Sequence, residues 1–137
     1  CLALGERRSY SACTLSITGV AFGAYDVFNT TPLDSTGAVV FECDKQDKRI
    51  RIILSTGSSG SFAARTMTQG ADVLWYNLYI NGLATIWGDG TAGTGYYFTN
   101  NPPNNRPVTV TIYGRVPAGQ DVRRGPYADM IQVQIDF

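Results

Sequence analysis

The 137-residue sequence contains no histidine, and it therefore lacks the side chain that most often serves as a general base or a metal ligand. A serine triad of the usual kind is excluded, and no two cysteines have the CxxC spacing of a zinc site. The acidic residues are scattered through predicted turns, where Asp side chains bond to local backbone amides, and they do not form the carboxylate pair of a glycosidase. The sequence therefore predicts no enzymatic activity, no metal and no cofactor.

Charged residues and long apolar runs are also scarce. Only 16% of the residues are charged, and 11 basic side chains balance 11 acidic ones. Without a net charge, the chain has no field that would attract nucleic acid or an anionic membrane. No apolar run approaches the roughly 20 residues that a membrane-spanning helix needs. We expect neither a nucleic-acid partner nor a membrane span.

What the sequence does contain is typical of β-structure in a single domain. Good helix formers are sparse, while 15 Gly, 8 Tyr and 6 Phe accompany many Thr, Val and Ile. Residues 1–12 show no sustained period, so we expect a flexible lead-in or linker there and one domain over residues 13–137.

Alternation of apolar and polar residues marks the strands of that domain. It is clearest over residues 108–116 and in the last segment, where Ile131, Val133, Ile135 and Phe137 share one face. Asn81-Gly82 gives the strongest hairpin signal, because both turn positions need a positive φ. Roughly seven short strands with regular turn signals predict an all-β, immunoglobulin-like Greek-key sandwich. A lipocalin-like closed barrel is the alternative.

Three cysteines are present, and two of them flank predicted strands. Cys13 opens one strand and Cys43 closes another, so we predict a disulfide between them. Such a bond indicates an oxidising compartment. Cys1 is left over, either as a loose end or a bond to another part of the parent chain, or as an intermolecular or lipid-modified residue.

Eight phrases, spread over most of the chain and taken in order, resemble a known family. These are Phe22-Gly23-Ala24-Tyr25-Asp26, residues 37–43 with the second cysteine, Gly57, Arg65-Thr66-Met67, Leu74-Trp75-Tyr76-Asn77-Leu78-Tyr79, Trp87-Gly88-Asp89-Gly90-Thr91, residues 113–120, and Gly125-Pro126-Tyr127-Ala128-Asp129. The sequence is similar to the spore coat U domain of archaic, Csu-type chaperone-usher pilus subunits and tip adhesins.

The resemblance implies an incomplete sandwich that lacks its last strand, secreted through the periplasm to the cell surface. Its partners would be a periplasmic chaperone, an outer-membrane usher and neighbouring pilus subunits. Ile131, Val133, Ile135 and Phe137 would lie at the edge that the chaperone covers first and a donor strand later. The same alternation also fits an ordinary core strand.

Donor and adhesive segments are less clear from the sequence. Before Cys13, only Leu2 and Leu4 offer an alternating apolar pattern, so we expect a domain that receives a strand, such as the C-terminal domain of a tip adhesin, or one whose donor strand has been removed. At a pilus tip, Tyr96, Tyr97 and Phe98 are the candidate adhesive loop, although they could also form a short core strand.

Two other functions remain open from the sequence. A spore or cell-surface coat protein could use the same fold without making a fibre. A carbohydrate-binding module or hydrolase is the third hypothesis, motivated by Trp75, Trp87 and the many tyrosines.

Overall fold

A computed structural model describes residues 13–43, 49–100, 102–103 and 105–136, and the backbone of residues 2–7. No α-helix occurs in these residues, which form strands and one 3₁₀ turn at Gly57–Ser59. The strands are β1 Leu2–Arg7, β2 Cys13–Thr18, β3 Leu33–Cys43, β4 Ile50–Leu54, β5 Arg65–Gln69, β6 Asp72–Ile80, β7 Thr85–Ile86, β8 Tyr97–Thr99, β9 Pro107–Val116 and β10 Asp129–Asp136.

The strands form two sheets with a common core. One sheet has the order β1-β10-β4-β8, and the other has the order β2-β3-β9-β6-β5, with β7 also paired to β6. Buried side chains of both sheets, such as Val39 and Ile112 from the second and Ile52 and Ile131 from the first, belong to one hydrophobic cluster. The prediction of an all-β, immunoglobulin-like sandwich is confirmed, and the closed barrel is not formed.

The predicted disulfide is present and joins two paired strands. Cys13 and Cys43 are register partners in the antiparallel pair of β2 and β3, and their sulfur atoms are bonded. Both residues are buried. The bond therefore lies inside the core and closes a loop with a sequence separation of 30 residues.

Two glycines allow the segment after β2 to cross the second sheet. A Cβ atom on Gly37 of β3 would lie 2.5 Å from the carbonyl oxygen of Thr18, and one on Gly114 of β9 would lie 2.6 Å from the ring of Phe22. Val20 and Phe22 are buried over these positions. Close approach of this crossing segment therefore requires glycine at both points.

The N-terminal segment differs from the sequence-based expectation. Residues 2–7, expected to belong to a flexible lead-in, form strand β1 and pair in parallel with β10. The open edge expected beside β10 is accordingly covered by the chain itself. Main-chain hydrogen bonds need no side-chain pattern, so the unpaired edge of β10 can hold a segment that shows little alternation. Cys1 and Phe137 lie outside the described residues.

Candidate strand-acceptor edge

Strand β10 lies between two partners of opposite direction. On one side it pairs antiparallel with β4, from Val133 opposite Leu54 to Asp136 opposite Arg51. On the other side it pairs in parallel with β1, from Asp129 opposite Leu2 onward. We call this second side of β10, over residues 129–134, the acceptor edge. Of the predicted interface residues, Ile131, Val133 and Ile135 are all buried in the core, and Phe137 lies outside the described residues.

Along the acceptor edge, buried residues alternate with more exposed ones: Asp129, Ile131 and Val133 lie on the buried face, and the exposed face begins with Met130. Gln132 is exposed and Gln134 half-buried, while the intervening Val133 is fully buried. This is the alternation that the sequence predicted for the last strand. A strand beside it meets a core face and a solvent face, so an added strand with the same alternation would fit both.

An ion pair fixes the end of β10 against β4. The guanidinium of Arg51 donates to Asp136 Oδ2 through Nη2 at 2.8 Å and through Nε at 3.2 Å. Gln134 Nε2 donates to Asp136 Oδ1 at 2.8 Å. Partial burial works against ionisation, but the hydrogen bonds from Gln134 and Arg51 hold the pKa of Asp136 below its usual value. The end of the strand is thereby held on the side away from the acceptor edge.

The start of β10 is fixed by the buried carboxylate of Asp129. Tyr76 donates its hydroxyl hydrogen to Asp129 Oδ2 at 2.6 Å, and the backbone N–H and hydroxyl of Ser58 donate to Oδ1 at 3.1 and 2.7 Å. Burial, reinforced by the bond to Asp129, raises the pKa of Tyr76, so the phenol keeps its proton and remains a donor. Gly57 has φ +72°, and a Cβ atom there would lie 2.3 Å from Asp129 Oδ2. Glycine is therefore required beside this carboxylate.

Arg65 holds the middle of β10 through Ser55. Its fully buried guanidinium donates to the Ser55 carbonyl at 2.6 and 3.1 Å, to the Trp87 carbonyl at 2.7 Å and to Asn77 Oδ1 at 2.9 Å. Burial lowers the pKa of Arg65 to about 10, which leaves it charged at neutral pH. Ser55 in turn exchanges two bonds with Gln132 of β10, at 3.0 Å to its carbonyl and 2.9 Å from its N–H.

These polar residues form one network that sequence reasoning did not assign. We call Ser55, Gly57, Ser58, Arg65, Tyr76, Asn77, Trp87 and Asp129 the anchoring network. Six of them occur in the phrases that carried the family resemblance, yet no role was inferred for them. The available signal was a polar side chain inside an apolar strand, as with Asn77 and Asp129. Polar groups that are buried in this way need partners, and partners distant in sequence were not identifiable.

Gln120 covers a second strand edge. Its side-chain amide accepts from the Trp75 N–H at 2.8 Å and donates to the Trp75 carbonyl at 2.8 Å, as a neighbouring strand would. Tyr25 accepts from the Gln120 N–H at 3.0 Å and donates to the Pro117 carbonyl at 3.3 Å. β9 pairs with β6 only at residues 77–79. Gln120 therefore takes the place of a neighbouring strand at Trp75, in the part of β6 that β9 leaves unpaired.

The candidate adhesive residues do not all face solvent. Tyr97 lies in β8, half-buried, with its ring 5.7 Å from that of Phe41. Tyr96 and Phe98 are exposed, with 38% and 47% of their surface accessible. The guanidinium of Arg51 lies 5.5 Å from the centre of the Tyr96 ring. The three residues thus divide into one core contact and an exposed pair, Tyr96 and Phe98.

Other kinds of site find little support in the described residues. Trp87 is fully buried and its indole N–H donates to the Ile52 carbonyl at 2.9 Å, so it cannot stack on a sugar, whereas Trp75 is exposed. Within the side chains that the structure describes, no group of three or more Cys, Asp or Glu is arranged to hold a metal ion. The same part of the chain contains no helix with the length and apolar character needed to cross a membrane.

The two sheets define an immunoglobulin-like β-sandwich domain. Residues 7–134 match the Spore Coat Protein U domain, and the chain belongs to that family. It is 37% identical to Protein U of Myxococcus xanthus over 130 residues, covering 85% of this chain and 70% of that protein.

A solved structure shows the same fold. A chain in the CsuC-CsuE chaperone-tip adhesion subunit pre-assembly complex from the archaic chaperone-usher Csu pili of Acinetobacter baumannii aligns with a TM-score of 0.55 and 20% identity. The alignment covers 91% of this chain and only 40% of that one, so this chain spans about two fifths of its length. HdaB, the minor tip subunit of the E. coli Hda pilus, aligns with a TM-score of 0.43 and 15% identity over 89% of this chain and 79% of its own.

Proposed function

We propose that this domain is a structural or tip subunit of a bacterial chaperone-usher pilus, assembled by strand addition at the acceptor edge. The observation that carries the proposal is the pairing of β1 with β10. A segment with little apolar alternation occupies this edge, so the edge binds strands through its main chain. Family membership and the fold shared with the Csu chain support the same conclusion.

The partners follow from this assembly route. The similar Csu chain comes from a pre-assembly complex of a chaperone with a tip adhesion subunit. By analogy, a periplasmic chaperone would first cover the edge of β10, an outer-membrane usher would then receive the subunit, and a neighbouring subunit would donate the final strand. The domain would travel through the periplasm to the cell surface, where its role is structural and adhesive and not catalytic.

A synthetic peptide should raise the melting temperature of the purified domain. The probe is a peptide of about ten residues with alternating apolar side chains, which supplies both the backbone ladder and side chains for the core face. At a free concentration of about one hundred times its Kd, the peptide stabilises the folded state by about 2.7 kcal/mol. We therefore expect the melting temperature to rise by about 10 °C. Differential scanning calorimetry measures this rise.

The control is a peptide of the same composition with its apolar residues grouped at one end. It cannot place alternate side chains along Ile131, Val133 and Ile135, so we expect less than a fifth of the rise. Equal rises for both peptides would indicate nonspecific apolar binding. No rise with either peptide would contradict strand addition.

A coat protein without a fibre is the second candidate function. It is favoured by the family match and by the similarity to Protein U of Myxococcus xanthus. Electron microscopy of producing cells separates the two functions. Fibres that disappear when the gene is deleted support the pilus, while a continuous surface layer without fibres supports the coat.

The exposed pair, Tyr96 and Phe98, is our candidate for an adhesive contact that supports biofilm formation. Burying one large aromatic side chain against an apolar surface contributes about 1.5–3 kcal/mol. The double variant Tyr96→Ser, Phe98→Ser should therefore lower binding of the domain to polystyrene about tenfold or more, measured by adsorption from solution. Tyr97 is left unchanged because it packs on the core.

Phe28→Ser provides the matched control. Phe28 is an aromatic residue in another turn with 87% of its surface exposed, so the control removes a similar apolar side chain elsewhere. We expect it to bind polystyrene like the unchanged domain. The adhesive assignment is wrong if the control loses as much binding as the double variant, or if the double variant binds normally.

A further inference from the structure

We propose that β1 occupies the acceptor edge in the isolated domain and is displaced when a foreign strand binds there. This inference rests on the proposed function and adds a regulatory step to it. The edge would not be an open groove awaiting a strand. It would be closed by β1, a weakly bound strand, and a competing strand would have to bind the edge more tightly than β1 does.

The direction of β1 makes it a weak partner. All six of its residues pair with β10 in parallel, from Leu2 opposite Asp129 to Arg7 opposite Gln134. The other two pairings in the same sheet, β10 with β4 and β4 with β8, are antiparallel. Parallel pairing is slightly less stable per residue than antiparallel pairing. An antiparallel competitor thus has an advantage in the backbone ladder alone.

The sequence of β1 is also poorly suited to this position. It reads Leu-Ala-Leu-Gly-Glu-Arg, and its second half begins with glycine and glutamate, types that are depleted in strands. In the register of the pair, Glu6 is the partner of Val133, which is fully buried. A foreign strand with a β-branched residue at this register position would be a better strand former.

Strand β10 does not depend on β1 for its position. Asp129 is held by Ser58 and Tyr76, and Asp136 by Arg51, all from elements other than β1. Gln132 is held by Ser55, the residue that follows β4. Removal of β1 would therefore leave β10 in place with an unpaired edge. The family match begins at residue 7, so most of β1 precedes the matched domain.

The position of β1 in the chain, close to β2, favours its pairing with the acceptor edge. Only residues 8–12 separate it from β2, so its effective concentration at the edge is high, of the millimolar order typical of short linkers. An unpaired edge is a site of aggregation, and even a weak occupant blocks it. Foreign strands that bind the edge less tightly than β1 are excluded, while a well-matched donor strand displaces β1.

Two substitutions should change peptide capture in opposite directions. Leu4→Asp removes one of the few apolar residues of β1 opposite Ile131, and we expect about tenfold faster capture of the alternating peptide. Glu6→Val makes β1 a better strand opposite Val133, and we expect about tenfold slower capture. In the unchanged domain the capture rate should level off at high peptide concentration, because release of β1 then limits it. Stopped-flow fluorescence of a labelled peptide measures these rates.

Glu42→Val is the matched control. Glu42 is an exposed residue of β3 in the other sheet, so the same chemical change leaves β1 untouched, and capture should remain at the unchanged rate. Equal rates for all four proteins would overturn the role of β1 while leaving strand addition intact. Failure of every protein to capture the peptide, Leu4→Asp included, would instead overturn the proposed function. Glu6→Val tests the proposal even if Leu4→Asp does not fold.

Discussion

Replacing Arg65 by methionine should lower the free energy of unfolding by about 3 kcal/mol or more. The change keeps an unbranched, largely aliphatic side chain but removes the donors to the carbonyls of Ser55 and Trp87, while Asn77 Oδ1 keeps its bond from the Leu78 N–H. Each buried acceptor that loses its partner costs about 1–3 kcal/mol. Relief of the cost of burying the guanidinium offsets part of this loss. Urea denaturation followed by tryptophan fluorescence measures the difference.

Arg115→Met is the control for this change. Arg115 also makes two hydrogen bonds, to Asp34 at 2.7 and 2.8 Å, but both side chains are substantially exposed. Exposed ion pairs contribute about 1 kcal/mol or less. If Arg65→Met and Arg115→Met unfold at the same urea concentration, the anchoring network does not stabilise the fold in the way we describe.

Loss of the disulfide should lower the free energy of unfolding about as much as Arg65→Met does. In the chain-entropy account, a bond that closes a loop with a separation of 30 residues stabilises the folded state by about 3–4 kcal/mol, because it restricts the unfolded chain. We expect the double variant Cys13→Ala, Cys43→Ala to lose this amount in thermal or urea unfolding. Folding at 37 °C should be impaired as a result.

The single variants show whether the bond or the packing is responsible. Each of Cys13→Ala and Cys43→Ala breaks the same bond, so each should lose almost as much stability as the double variant. Losses that add up across the two sites would mean that the side chains contribute through separate packing contacts. That result would contradict the role given to the disulfide.

The strands with clear alternation were predictable from the sequence. Residues 108–116 and the last segment from Ile131 are predicted as strands, and they lie in β9, Pro107–Val116, and β10, Asp129–Asp136. Both lie between a core and a solvent face, so period-two alternation is strong in them. The disulfide was predictable for a related reason, because each cysteine lies at the end of a strand.

Strands that depend on distant partners were predicted less well. Residues 31–37 contain residues typical of turns, such as Pro32 and Gly37, but β3 begins at Leu33 and pairs along its length with β9. Gly37 is there because the crossing segment approaches it closely, not because the chain turns. β1 was missed for a similar reason, since its pairing follows from the edge of β10 and not from its own sequence.

The anchoring network could not be derived from local pattern at all. Ser58 and Asp129 lie 71 residues apart, and Arg65 and Trp87 lie 22 apart. Nothing in the local sequence around one of these residues identifies its distant partner. Six residues of the network occur in the phrases that carry the family resemblance, and the structure supplies a physical reason for the network: it holds β10 from one side and leaves the other side for a strand.

Hydrogen exchange with and without the alternating peptide tests the acceptor edge most directly. When the peptide is bound, we predict that amides of β10 over residues 129–136 keep or gain protection while amides of β1 over residues 2–7 become fast to exchange. The account would be contradicted if β1 kept its protection in the complex, or if the peptide protected amides elsewhere and left β10 unchanged.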